Sequence, residues 1–307
     1  MSRLVKTVAF LSLFATSLFA NDVRVFSVEN SDGKITAKTI EASFKKAGFY
    51  ISDNRDMNTP FKKQFGQTDF KIYNLFTLYN IKQVQELSKK YPNFGLFAPM
   101  SMSIYTKKGE NTINISSLTA STMGKIMGIP ANNKQLVAIE NLVTKALKDA
   151  MPKGEFKSFE YKVSKTDKKL VSSYTMELDP EEWEDEKDEV QMTFEGELKP
   201  NGFVQAGFTD VNYDFKENKY NKFDFYDVYS ICKLPVIYNV AKTRPEAGAF
   251  APCSLYMYKE SGKNILNVAY PNVYNWISSL SIDDKKAIDA LEDAQKRMVE
   301  ILTSATE

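Results

Sequence analysis

Two cysteines are the residues of this sequence whose type and spacing are most suited to chemistry. Cys232 and Cys253 are the only cysteines among 307 residues, and histidine is absent. Without histidine there is no Ser-His or Cys-His catalytic pair, no zinc site built on imidazole and no covalent haem attachment. There is also no Cys-x-x-Cys motif, which excludes a thioredoxin-type active site, and the glycines form neither a dinucleotide fingerprint nor a phosphate loop. Carboxylate, lysine, tyrosine and thiol chemistry remain, and the sequence identifies no cofactor.

The positions of the two cysteines predict that they lie close together. Cys232 is expected to end a strand just before a helix N-terminus, where the helix dipole favours a thiolate. Cys253 is expected to begin the neighbouring strand, and adjacent strands are about 5 Å apart, so the two α-carbons should lie within the roughly 7 Å that a disulfide allows. Three interpretations stay open: a structural disulfide, a reactive thiol pair or two-sulfur site for a soft metal, and two unlinked buried cysteines.

Methionines offer a metal-binding alternative. Met100 and Met102, in the segment PMSMS, would point the same way on a strand, and Met-x-Met pairs can hold copper(I) in an oxidising compartment. The alternative site would combine these two residues with Cys232 and Cys253. Packing in a strand core explains the methionines at least as well.

The sequence contains an internal duplication. Segments 95–114 and 248–267, which begin GLFAPMSMSIY and GAFAPCSLYMY, share nine of twenty residues at an offset of 153. Unrelated segments of this composition would share roughly one or two. The first copy has Met100 where the second has Cys253, so the candidate cysteine site belongs to the second copy.

Hydrophobic patterning predicts the α+β class, with two similar domains that each form a mostly antiparallel sheet backed by helices. For the first copy, strands are expected at 22–29, 49–51, 70–78, 100–106 and 112–118, and helices from 35 to 47, from 58, from 81 to 91 and from 134 to 150. In the second copy, a strand at 223–231 and a last helix at 285–302 correspond to them.

These patterns divide the chain into four parts. We assign residues 1–20 to a signal peptide, 22–151 to a first α+β repeat that lacks both cysteines, 152–168 to a connecting segment, and 169–305 to a second repeat that carries Cys232 and Cys253.

The N-terminus has the features of a secretory signal. Arg3 and Lys6 precede an apolar run over 8–19, which is too short for a comfortable membrane span. Cleavage is expected after Ala20 or after Ser17. The expected location is therefore the periplasm, with no stable membrane span after cleavage.

Charge bears on the partners of the mature chain. The full sequence has a formal net charge of +1, and removal of Arg3 and Lys6 leaves 38 − 39 = −1. A nearly neutral chain argues against nucleic acid as a partner. The sequence is compatible with a homo-oligomer and identifies neither a small ligand nor a protein partner.

The run 179–189 holds eight acidic residues. It is either a patch that binds a cation or docks a partner, or the solvated first turns of a helix.

The order of strand, cysteine, helix, glycine, Pro-Cys, strand, tyrosine and turn glycine resembles the family known as domain of unknown function 302, over residues 35–150 and 189–304. The resemblance implies small α+β domains, a cysteine before the helix that is usually followed by Asn-Pro, and a second cysteine in a Leu-Pro-Cys turn. Here these positions are Cys232, followed by Lys-Leu-Pro, and Cys253. In the first copy they are Tyr79 and Met100, although Asn80 occupies the asparagine position.

From these observations we expect an exported protein that acts as a non-catalytic ligand-binding or redox-responsive module, with a paired-cysteine site in the second repeat. A thiol-dependent oxidoreductase or a protein that binds a soft metal such as copper is the alternative. The missing histidines and cofactor motifs favour the non-catalytic interpretation.

Overall fold

A computed structural model describes residues 21–307. The predicted signal peptide, residues 1–20, lies outside the described residues.

The first half of the chain forms one antiparallel sheet with its helices. Its elements are β1 (Val23–Glu29), α1 (Ala37–Lys46), β2 (Tyr50–Asp56), α2 (Asn58–Phe65), β3 (Phe70–Tyr79), α3 (Ile81–Ser88), a 3-10 segment (Pro92–Phe97), β4 (Met100–Lys107), β5 (Thr112–Leu118), α4 (Ala120–Met127), α5 (Lys134–Ala150) and β6 (Glu155–Phe156). The strand order is β2-β3-β4-β5-β1-β6, and every pairing is antiparallel.

The second half repeats this arrangement. Its elements are β7 (Val171–Glu177), α6 (Trp183–Leu198), β8 (Val204–Asp210), α7 (Val211–Glu217), β9 (Phe223–Cys232), α8 (Leu234–Thr243), a second 3-10 segment (Pro245–Phe250), β10 (Cys253–Glu260), β11 (Ile265–Pro271), α9 (Tyr274–Ser279) and α10 (Lys285–Thr306). The strand order β8-β9-β10-β11-β7 matches that of the first sheet, with β7 in the place of β1. The α+β class and the duplication are therefore confirmed.

Local sequence accounts for most element boundaries. The Asn80 side chain accepts a hydrogen bond from the Gln83 backbone N–H and so caps α3, and Asn133 caps α5 in the same way. Gly66 ends α2 in the left-handed conformation that glycine adopts without strain. Strands β4 and β5 pair as an antiparallel hairpin.

Three features differ from the sequence-based expectation. Helix α4 and the two 3-10 segments were not predicted, because their short apolar runs are interrupted by glycine or proline. Within the connecting segment 152–168, the pair Glu155–Phe156 forms a short strand that extends the first sheet beside β1.

Each sheet has one face covered by its own helices. In the first sheet Phe76 packs edge-on against Phe44 of α1, with ring centroids 5.3 Å apart. In the second sheet Tyr229 packs in the same way against Phe194 of α6, at 5.2 Å. The other face of each sheet contacts the 3-10 segment of the opposite half.

Equivalent contacts join the two halves and define a pseudo-two-fold axis. Ser101 Oγ donates to the Pro252 carbonyl at 2.8 Å, and Ser254 Oγ donates to the Pro99 carbonyl at 2.8 Å. The members of each equivalent pair are 153 positions apart. The interface is therefore isologous in form, like that of a symmetric dimer, although both sides belong to one chain.

A second pair of equivalent contacts involves two buried tyrosines. The Tyr226 hydroxyl donates to the Pro92 carbonyl at 2.6 Å and accepts from the Gly95 N–H at 3.0 Å. The Tyr73 hydroxyl donates to the Pro245 carbonyl at 3.1 Å. Hydrogen bonds as well as packing therefore hold each 3-10 segment against the opposite sheet.

Candidate functional site

The two cysteines lie on neighbouring strands, as predicted. Cys232 ends β9 and Cys253 begins β10, and Cys253 is paired with Ile231 rather than with Cys232. Residues directly opposite each other in an antiparallel pair share a face, and successive residues alternate between faces. The alternation therefore directs the two cysteine side chains towards different faces of the sheet, and the structure contains both as free thiols.

Burial disfavours the thiolate form of Cys232, which the position of this residue before a helix N-terminus was expected to favour. It raises the pKa of the Cys232 thiol to about 12, although the nearby Arg55 guanidinium acts in the opposite direction. Burial, together with the neighbouring Cys232, raises the pKa of Cys253 to about 12 as well. The Cys253 thiol donates to the Phe250 carbonyl at 3.5 Å. Both thiols are therefore protonated at neutral pH, and neither is poised as a nucleophile.

Both cysteines contribute to a small cavity beneath the helices of the second half. It has a volume of about 50 Å³ and is lined mainly by apolar side chains, among them Trp276, Leu291 and Met298. So small an apolar space is typical of imperfect core packing rather than of a ligand site.

The structure separates the two methionines from the cysteines. Met102 lies opposite Phe76 and therefore faces the helices of the first half, and Met100 shares this face; both side chains are buried. Neither methionine lines either of the cavities that Cys232 borders. The four residues named as a copper-site alternative are thus not gathered around one point.

A larger cavity lies between the two halves, and Cys232 lines this one too. Its volume is about 160 Å³. The first half contributes its edge strand β2, the start of α2 and part of β3, and the second half contributes its edge strand β8, the end of β9, the start of α8 and Pro252. The lining residues are Ser52, Asp53, Arg55, Met57, Pro60, Leu75, Thr77, Val204, Ala206, Gly207, Phe208, Thr209, Ser230, Cys232, Leu234 and Pro252.

Two equivalent β-bulges flank this cavity. In β2 the register skips Ser52, which lies between the paired residues Ile51 and Asp53, and in β8 it skips Ala206. A bulge leaves one residue outside the ladder and redirects its side chain, and bulges are frequent beside binding sites. The two halves therefore present corresponding irregularities to the same space, with a hydroxyl on one side and a methyl on the other.

Charged groups of the cavity are already paired. Arg55 Nη2 lies 2.9 Å from Asp53 Oδ2 and donates to the Ala206 carbonyl at 2.9 Å, so it bridges the two edge strands. Asp53 and Arg55 are the only charged residues in the lining. The cavity consequently has no net charge.

Hydroxyl groups supply its free hydrogen-bonding capacity. Ser52 Oγ is buried and has no hydrogen-bond partner among residues 21–307. Thr77 and Ser230, which occupy equivalent positions on β3 and β9, add two buried hydroxyl side chains, for which the described part of the chain likewise contains no hydrogen bond. The Ser52 oxygen has almost no accessible surface and is closed off from the cavity, so the hydroxyl side chains of Thr77 and Ser230 are the ones that could bond to a ligand.

Sequence reasoning found Cys232 but missed the cavity residues Ser52, Arg55, Thr77 and Ser230. The usable signal was the composition of β2, because YISDNRD is polar for a strand that packs against another half of the protein. No pattern in the sequence indicated which strands would meet across the axis.

Part of the acid run lies at the start of a helix. Glu184, Asp185 and Glu186 form the first turn of α6, where negative charge complements the helix dipole.

Within residues 21–307, no group of three or more cysteine, aspartate or glutamate side chains has the arrangement of a metal site. The helices in this part of the chain are also too short or too polar to cross a membrane.

Comparison with models of known families identifies the family of this chain. The model of the family described as domain of unknown function DUF302 matches twice, over residues 26–151 and 182–305. The chain therefore belongs to the DUF302 family and contains two copies of its domain. A search of the curated proteins gave no match.

Among solved structures, the chain is similar to the crystal structure of an uncharacterized conserved DUF302 protein from Bacillus stearothermophilus. The sequences are 18% identical, and the match covers 45% of this chain and 98% of that one, with a TM-score of 0.37.

Proposed function

We propose that this protein binds a small, largely apolar molecule in the cavity between its two halves, and that binding rather than catalysis is its role. The observation that supports this is the cavity itself: about 160 Å³ of space with mostly apolar walls, the hydroxyl side chains of Thr77 and Ser230, and equivalent bulges on both sides. Binding sites commonly combine apolar walls with a few placed polar groups and often lie between domains.

Cys232 contributes to this proposal as part of the wall. Its raised pKa keeps the thiol neutral, so the side chain offers a polarisable apolar surface rather than a nucleophile. The basic and apolar N-terminal residues support export to the periplasm, which is part of the same proposal. The mass of the mature protein from the periplasmic fraction tests it, with cleavage expected after Ala20 or Ser17.

The binding proposal is tested with toluene as a probe, because an apolar cavity of about 150 Å³ accepts benzene. Ligand-observed NMR and the thermal unfolding midpoint of the full mature chain report binding. We expect toluene to bind and to raise the midpoint, since a ligand that binds only the folded state stabilises it.

A cavity-filling variant makes the test specific. Ser230→Leu extends a larger apolar side chain into the cavity and should abolish the toluene signal. Ser173→Leu, on the exposed side of β7, is the matched control and should bind as the wild type does. Toluene binding that survives in the Ser230→Leu protein would contradict the proposal.

A further inference from the structure

The edges of the two sheets are covered unequally. Edge strands β2 and β8 approach each other between the halves, where Arg55 Nη2 donates to the Ala206 carbonyl at 2.9 Å. The other edge of the first sheet ends in β6, a strand of only two residues. The other edge of the second sheet is β7, which has seven residues and no strand beyond it in the part of the chain that the structure describes. A long open edge of this kind is a place where a further strand can add to the sheet.

The first sheet shows how such an edge is used. Strand β1, the equivalent of β7, pairs with β6 in antiparallel fashion, and the Val25 carbonyl accepts a hydrogen bond from the Lys157 N–H at 2.9 Å. Ser173 has the position of Val25 in the second sheet, because Val25 lies opposite Ser116 and Ser173 lies opposite the equivalent Ala269. Among residues 21–307, no strand meets the edge at Ser173.

Pairing with β11 determines which backbone groups of β7 are available. The Leu178 N–H donates to the Asn264 carbonyl at 3.0 Å, and the Asn272 N–H donates to the Leu170 carbonyl at 2.8 Å. The even-numbered residues of β7 therefore bond to β11, since hydrogen-bonded and non-bonded pairs alternate along an antiparallel ladder. The odd-numbered residues direct their N–H and C=O groups outwards, and they are Val171, Ser173, Thr175 and Glu177.

The side chains along this edge suit antiparallel pairing of β7 with a second copy of itself. Lys169 precedes the strand and Glu177 ends it; both are exposed, and neither has an ion-pair partner within the described residues. When the Ser173 residues of two copies meet at a two-fold axis, Lys169 of each copy lies opposite Glu177 of the other. The same register brings the half-buried Leu170 opposite the half-buried Met176 on the face that α10 covers.

We propose that β7 is a self-association edge, through which two copies of the protein join by antiparallel pairing of their β7 strands about a two-fold axis at Ser173. The outward residues form about six backbone hydrogen bonds across this axis. The two five-stranded sheets become one continuous sheet. Because one short strand from each copy buries little surface, the dimer is weak and depends on protein concentration. The cavity between the halves lies at the opposite edge of the second sheet, so this inference is independent of the binding proposal.

Sedimentation equilibrium of the full mature chain tests the proposal. We expect the wild type to shift from monomer to dimer between about 5 µM and about 500 µM. Thr175→Pro removes an outward N–H and no bond to β11, so it should stay monomeric over this range. Thr175→Val keeps the N–H and is the matched control, which should dimerise as the wild type does. Circular dichroism and toluene binding show whether Thr175→Pro is folded, and both should equal those of the wild type.

Charge reversal tests the register without the use of proline. Lys169→Glu turns both attractive pairs of the dimer into repulsive ones and should raise the dissociation constant about tenfold. Adding Glu177→Lys to this variant restores opposite charges and should return the constant to within about threefold of the wild-type value. Lys63→Glu, at an exposed position of α2, changes the net charge equally and should have no effect.

Three results would overturn the proposal. The first is a wild-type protein that remains monomeric at the highest concentration. The second is a folded Thr175→Pro protein that dimerises as well as the wild type, since the dimer would then use another surface. The third is a double charge variant that dimerises no better than Lys169→Glu alone.

Discussion

At the scale of single residues, the structure shows how strongly burial controls the ionisable groups of this protein. Asp227 lies on β9 under α6 and is 7% exposed, with one hydrogen bond from Gln191 Nε2 at 2.8 Å. Burial raises the pKa of its carboxyl to about 6, although Gln191 and Lys187 act in the opposite direction. Like the pKa values of the two thiols, that of this carboxyl lies above its usual value because burial disfavours the charged form.

Replacement of Asp227 should change how stability depends on pH. A carboxyl with a raised pKa binds its proton more tightly in the folded state, so the free energy of unfolding falls as pH rises from about 4 to about 6 and stays lower above that. Asp227→Asn removes this loss. We expect it to be more stable than the wild type at pH 7 by on the order of 2 kcal/mol, with a smaller difference near pH 4.

Urea unfolding at several pH values measures this effect, and the exposed Asp167→Asn serves as the matched control. A difference between Asp227→Asn and the wild type that did not vary with pH would show that ionisation of Asp227 is not its cause.

At the scale of elements, the two 3-10 segments are the parts that join the halves. Gly95 lies in the first of them, and a Cβ added there would lie 2.6 Å from the Tyr226 hydroxyl and 2.8 Å from Tyr256 Cβ. At the equivalent Gly248, an added Cβ would meet Ser103 and Leu75. The two glycines are therefore required by close approach of the halves rather than by backbone conformation.

Gly95→Ala should consequently destabilise the protein. Overpacking of a tight contact costs about 1–3 kcal/mol, and the hydrogen bond from the Gly95 N–H to Tyr226 would be strained as well. Gly196→Ala is the control, since the added methyl at this exposed helical position meets nothing within 4 Å and should stabilise by up to about 1 kcal/mol. Thermal unfolding compares the two variants, and equal midpoints would contradict the packing argument.

The elements also show what sequence patterns can predict. The strands β3, β4 and β5 and the helix α5 followed from aromatic, β-branched and helical periodicity, because those patterns reflect burial against the same half. Neighbouring strands for Cys232 and Cys253 followed from the spacing. The direction of their side chains did not, since it depends on a register in which Cys253 is opposite Ile231. Sequence patterns could not predict the cavity either, because it is formed by two edge strands that approach each other only when the halves pack together.

At the scale of the whole molecule, the pseudo-two-fold axis makes a quantitative prediction. Ser101 and Ser254 make the same hydrogen bond in the two halves, each to a proline carbonyl across the interface. Ser101→Ala and Ser254→Ala each leave a buried carbonyl without this donor, so each should lower the free energy of unfolding by about 1–2 kcal/mol.

Urea unfolding checks both variants against the exposed Ser173→Ala, which should be neutral. The two losses should be equal within about 0.5 kcal/mol, because the contact is repeated by the duplication. A large loss in one variant and none in the other would show that the contacts are equivalent in geometry but not in energy.

Covalent fusion of the two halves has a consequence for any molecule that lies near the axis. In a homodimer built from identical copies, an axial ligand meets each wall residue twice and can bind in two indistinguishable orientations. Here the duplicated positions have diverged: Ser52 in the β2 bulge corresponds to Ala206 in the β8 bulge, and Cys232 occupies the position that Tyr79 has in the first half. The fused chain therefore favours a single binding orientation of an asymmetric ligand, although the site lies near the pseudo-two-fold axis.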